Sequence, residues 1–134
     1  MTGTARFFVE GTPAPQGSKV RTRHGMRESS KRVKPWRDHV RAEAEALNLQ
    51  MKPPYEVALR FRITRPKSTN AEYPVAPTVG DIDKLVRAVN DALTQSHIID
   101  DDRHIVFQSA EKRWTERDEK PGVMIYVSSL AKEN

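Results

Sequence analysis

The chain contains no cysteine. Disulfide staples and thiolate metal sites are therefore excluded, and a reducing compartment fits. Long hydrophobic runs are also missing. The longest uninterrupted apolar stretch, Val123-Met124-Ile125-Tyr126-Val127, is far below the ~20 residues of a spanning helix. The start, MTGTARFFVEG, lacks the basic opening and long apolar centre of a signal peptide. The expectation is a soluble intracellular protein with no membrane partner. Apolar residues make up only 37% of the 134 positions, low but sufficient for one core. A single α+β domain over residues 1–134 suits that length.

Acid is in deficit as well. There are 23 Lys and Arg against 18 Asp and Glu, a net charge of +5, and a pI near 9.7. A small domain so basic points to a polyanionic partner, usually nucleic acid. The charge is uneven. Residues 15–41 hold nine basic side chains (Lys19, Arg21, Arg23, Arg27, Lys31, Arg32, Lys34, Arg37 and Arg41) against Glu28 and Asp38. That local excess of seven exceeds the whole chain's five, so the remainder is slightly acidic. All of these except Arg41 are assigned to the phosphate backbone of DNA, where they position without reading sequence. Trp36 and Trp114 could stack on bases, but their spacing favours the core.

Periodicity sets the elements. Arg6–Glu10 reads as a short strand closed by Gly11-Thr-Pro-Ala-Pro. Gln16–Lys34 is polar and basic and reads as a loop or flap. Val33, Trp36, Val40, Ala44 and Leu47 recur at helical spacing, predicting a helix over Pro35–Asn48 with the proline in its first turn. Glu56–Thr64 alternates strictly, as a half-buried strand does. Pro66–Gly80 is a proline-bearing loop. Ile82, Leu85, Val86, Val89 and Leu93 form a helical stripe. Ile105–Trp114 and Val123–Ser128 complete the strands around a turn at Glu116–Gly122. The order β-α-β-α-β-β gives helices packed on one mainly antiparallel sheet.

The informative stretch is Gly80–Asp102, GDIDKLVRAVNDALTQSHIIDDD. Asp81 and Asp83 can be read as helix caps. One aspartate is well explained that way and a pair less so. Inside a helix, residues two apart point about 200° from each other. The two carboxylates converge only if Asp81 lies in an extended approach and Asp83 in the first turn. Asp100-Asp101-Asp102 can be a solvated turn, or a turn that the sheet brings near Asp81. Gathered carboxylates repel unless a cation compensates. Hard oxygen ligands suit Mg²⁺, with Mn²⁺ as a substitute, and such sites hydrolyse phosphodiesters. An EF-hand does not fit, because Val86 and Ala92 stand where its loop needs glycine and glutamate. Arg87, four residues after Asp83, is either a surface ion-pair partner or a cation for the scissile phosphate. Lys84 could do similar work.

These residues resemble the RusA family of Holliday-junction resolvases, which carries D-x-D-N-L-x-K, then D-A-L, then D-D-x-Q-[IV]-V. Here the matching segments are Gly80-Asp-Ile-Asp-Lys-Leu-Val-Arg, Asp91-Ala-Leu and Asp101-Asp-Arg-His-Ile-Val. Phe8-Val-Glu-Gly-Thr-Pro-Ala-Pro-Gln-Gly-Ser and Lys112-Arg-Trp extend the likeness over most of the chain. The resemblance implies a Mg²⁺-dependent endonuclease that resolves four-way DNA junctions as a homodimer, in a bacterial cytoplasm, possibly phage- or prophage-encoded. It assigns Asp81, Asp83 and Asp102 to the metal and Arg87 to the phosphate, with Asp101 and Lys84 in support. A one-residue shift in alignment selects Asp101 instead of Asp102. The chain departs from the pattern at Lys84 (family asparagine), Arg87 (family lysine) and His97 (usually glycine). The replacements at Lys84 and Arg87 keep a second reading open, a non-catalytic branched-DNA-binding module. An RNA-binding protein also fits the charge but reduces the aspartates to caps.

Overall fold

The computed structural model describes residues 1–17, 19–22, 25–28 and 31–132, with the backbone alone for 19–22 and 25–28. Along the chain run β1 (Thr4–Glu10), β2 (Lys19–Thr22), β3 (Gly25–Glu28), α1 (Val33–Ala46), β4 (Tyr55–Ile63), α2 (Ile82–Gln95), a 3-10 turn (Asp102–His104), β5 (Ile105–Trp114) and β6 (Gly122–Ser129). The expected α+β order is present. One addition is the β2–β3 hairpin, a two-stranded sheet of its own, inside the segment read as a loop.

The main sheet has the order β1-β6-β4-β5. β6 pairs antiparallel with β1 and β4, while β5 runs parallel to β4. Parallel neighbours cannot be joined by a hairpin, so α2 lies within the crossover between them. The alternation of β4 sends Tyr55, Val57, Leu59 and Phe61 into the core at zero exposure. Burying each such side chain stabilises by about 1.5–3 kcal/mol before entropy is counted. Both helices deliver their stripes to the same core. Val33, Trp36, Val40 and Ala44 come from α1, and Leu85, Ala88, Val89, Ala92 and Leu93 from α2. The buried face of α2 is centred on the alanines, so Ile82 at the rim of the expected stripe stays 37% exposed. Trp36 and Trp114 are core residues, 5% and 9% exposed.

α1 starts at Val33, two residues before Pro35, and stops at Ala46. Asn48, expected as its last residue, instead has φ +53. His97 has φ +67, the left-handed region that favours glycine. This accounts for glycine as the usual residue there.

Candidate active site

The turn into α2 is held from three sides. Gly80 has φ +93, and a Cβ there would meet Pro15 Cγ at 2.5 Å, so glycine is required by both conformation and space. Lys112 Nζ donates to Gly80 O at 2.9 Å. Gln16 N donates to Lys84 O at 3.0 Å. Sequence reasoning assigned none of these three to the site. The motif likeness around Pro15-Gln16 and Lys112 was the available signal.

Asp81 then occupies the N-cap with φ −72° and ψ 143°, in extended backbone, and its side chain makes no capping hydrogen bond. Its carboxylate is 73% exposed, with Lys84 Nζ at 3.9 Å. Asp83 lies exposed in the first turn. The backbone thus meets the condition for the pair to aim together, and capping does not consume Asp81. Arg87 is exposed one turn further on. Among the described residues it forms no ion pair with Asp83.

The second acidic group is sorted by its own contacts. Tyr55, fully buried, donates its hydroxyl to Met51 O at 2.9 Å and lies 3.2 Å from Asp100 Oδ1. It also accepts the Asp100 backbone N–H at 3.1 Å. Burial pushes the phenol's pKa up. His104 Nδ1 lies 2.7 Å from Asp100 Oδ1; an ionised carboxylate can only accept, so the ring nitrogen donates. That bond holds the Asp100 carboxyl below its ordinary pKa. Asp101 caps the 3-10 turn, accepting from Arg103 N at 3.0 Å, and this bond lowers its carboxyl too. Two of the three aspartates are therefore committed to building the turn. Asp102 stands exposed at the turn's first position.

The two groups do not meet within one chain. Asn90 on α2 bonds Gln108 on β5 at 2.8 Å, and Gly80 bonds Lys112, so α2 runs antiparallel to β5. Asp81 and Asp83 sit at the Lys112 end, and Asp102 precedes Ile105 at the other. Fourteen helical residues span about 21 Å. The strand from Ile105 to Lys112 spans about 23 Å. The sheet therefore carries the Asp102 turn away from Asp81, contrary to the expectation that it brings them near. No group of three or more Asp, Glu or His side chains among the described residues is arranged to hold a metal ion.

Of the basic residues assigned to DNA, Lys31, Arg32, Lys34 and Arg37 are described with their side chains. Arg32 donates to Thr78 O at 2.9 Å, Lys34 pairs with Asp38 at 2.7 Å, and Arg37 bonds Gln16 Oε1 at 3.0 Å. Arg37 thus braces the segment that supports α2. Lys31 and Lys34 are exposed at the start of α1. The side chains of Lys19, Arg21 and Arg27, and all of Arg23, lie outside the described residues. No described helix is long and apolar enough to cross a membrane.

A search of curated proteins finds no match to the chain. The family model for endodeoxyribonuclease RusA matches residues 10–128, which takes in the α2 turn, the Asp102 turn, β4, β5 and all but the last residue of β6. RusA enzymes are divalent-metal-dependent endodeoxyribonucleases that resolve Holliday junctions, and this chain belongs to that family.

Proposed function

We propose that the chain is a Mg²⁺-dependent Holliday-junction resolvase working as a homodimer in the bacterial cytoplasm. Each catalytic centre draws Asp81 and Asp83 from one copy and Asp102 from the other. The observation that carries this reading is the separation of about 20 Å between two uncommitted acidic groups at opposite ends of α2. A shared ion needs carboxylate oxygens within about 2.0–2.1 Å of it, so one copy alone is incomplete. Two copies related by a two-fold axis restore the set twice, matching a four-way junction that needs two opposed cuts.

The donor set fits a hard ion, since Asp81, Asp83 and Asp102 are exposed carboxylates that neither cap a helix nor brace a turn. Mg²⁺ held there, or Mn²⁺ in its place, supplies charge neutralisation and activation of water. Arg87 offers a fixed positive charge to the phosphate on the face of Asp83. Lys84 moderates the charge of Asp81, and Asp101 keeps the turn in shape. Lys31 and Lys34, with the basic β2–β3 segment, lie along the DNA backbone.

The test uses a fixed four-way junction. Asp83→Asn and Asp102→Asn each abolish cleavage and retain binding. Mixed and allowed to exchange subunits, the two inactive variants regain nicking, because each mixed dimer contains one intact centre. No recovery despite demonstrated exchange refutes the shared centre. Binding by the wild-type chain without cutting, in Mg²⁺ or Mn²⁺, indicates a non-catalytic module.

A further inference from the structure

We propose that a cavity beside the α2 turn receives one unpaired nucleotide of the branched DNA, its base in an apolar slot and its phosphate in a basic cleft next door. This rests on the reading of the chain as a junction-cutting enzyme and adds a substrate-holding site outside the acidic groups.

The first observation is the loop that roofs the slot. Residues 64–81, eighteen in all, join β4 to α2 without a helix or strand. Connections of that length are uncommon, and ordered ones are usually functional. This one is tied down at several points. Trp114 Nε1 donates to Ala71 O, Arg32 Nη2 to Thr78 O and Val79 N to Ala76 O, each at 2.9 Å. Between the loop and the end of the sheet lies a cavity of about 340 Å³, at the small end of the ~300–1,000 Å³ range of small-molecule sites. Ile63, Pro66, Val75, Val79 and Trp114 make its walls largely apolar. Val75, 71% exposed, stands at its mouth.

The second observation is the neighbouring cleft. It has a volume of about 380 Å³ and shares Thr12 and Arg32 with the slot. Lys31 and Arg32 bring two positive charges to it, and no carboxylate is among the described residues that line it. An apolar ligand alone leaves those cations without a role, and a simple anion leaves the slot empty. A nucleotide fits both, because it joins a flat heterocycle to a phosphate.

Position selects the source. Val79 is two residues before Asp81, so at most about 7 Å of chain separates the slot wall from the acidic turn. A nucleotide held there belongs to the strand that passes Asp81 and Asp83. Taking a base out of the stack costs least where its pairing is already broken, so the slot favours a branch point over intact duplex. Stacking on apolar walls tolerates every base, so the slot senses an unpaired base rather than a sequence.

Val75→Trp and Ala76→Trp fill the slot from exposed positions. Leu47→Trp, at the end of α1 far from Arg32, is the comparison. Binding is measured in EDTA, so that no cutting is required. The probes are a four-way junction with 2-aminopurine placed singly at each position next to the crossover, and linear duplexes of the same sequence. Wild type and Leu47→Trp should raise the emission at one position. Both slot variants should abolish that rise and bind the junction about 5- to 150-fold more weakly, with duplex binding and circular dichroism unchanged. Wild-type junction affinity in folded slot variants overturns the proposal, as does equal weakening on duplex, or no rise at any position. Titration with the four deoxynucleoside monophosphates separates the sources. Binding of one of them that Val75→Trp removes, without a signal in DNA, assigns the slot to a free nucleotide and overturns the proposal. A chain that passes these tests yet never cuts leaves the slot standing and removes the catalytic reading. A cutting chain whose slot variants bind like wild type does the reverse.

Discussion

Replacing Tyr55 by phenylalanine isolates one hydroxyl that ties the Asp102 turn to the sheet. The ring stays, so the fully buried site keeps its packing. What is lost is a donor to Met51 O and the acceptor for the Asp100 N–H. Leaving buried polar groups unpaired costs about 1–3 kcal/mol. With an unfolding entropy of about 2.1 cal/mol/K per residue, the whole chain has about 0.28 kcal/mol/K. The melting temperature should therefore fall by about 4–11 °C. Thermal unfolding by calorimetry measures this, and amide exchange at Asp100 should speed up by more than exchange in β4. Junction cleavage should fall with it, because the turn that presents Asp102 loses its anchor. A shift below about 2 °C with Asp100 exchange unchanged would refute the reasoning.

Glu119 takes two bonds from Arg113, at 2.7 and 2.8 Å, and is held down at about 2 against an ordinary 4.5. A depressed carboxylate stabilises the fold above its unfolded pKa and loses that contribution as pH falls from about 4.5 towards about 2. Glu119→Gln should therefore flatten the melting-temperature profile across that window. His97→Gly relieves a left-handed backbone that costs a non-glycine residue about 1–2 kcal/mol, so its melting temperature should rise by about 4–7 °C by circular dichroism. Arg87→Ala should slow cleavage by about 10²-fold or more in single-turnover assays. Its melting temperature should move by less than about 2 °C, since the side chain is exposed and unpaired among described residues.

The strands and helices were legible where one face is buried and the other wet. β4 alternates because α1 and α2 cover only one side of it, and β5 was bounded correctly at both ends. The β2–β3 hairpin escaped notice because it packs as a separate two-stranded sheet, and its basic residues mask any alternation. Among the proposed site aspartates, the extended approach at Asp81 was also readable. Their separation was not. It depends on β5 running parallel to β4, and pairing direction leaves no trace in local periodicity. Nor could spacing sort Asp100 and Asp101 from Asp102. That sorting comes from Tyr55, 45 residues away in sequence, and from the cap at Arg103.

The position of β6 carries a consequence for biogenesis. It follows every other described element in the chain, yet it lies inside the sheet, between β1 and β4. Thr4 pairs with Ser128, a contact that cannot form until residue 128 has left the ribosome. β1 and β4 have no neighbour on that side until then, so the sheet closes late and in one step. At synthesis rates of roughly 5–20 residues per second, the core waits several seconds for its central strand. A DNA-cutting surface built on that sheet is therefore withheld until β6 has emerged, and a chain terminated before β6 lacks the strand that would assemble it.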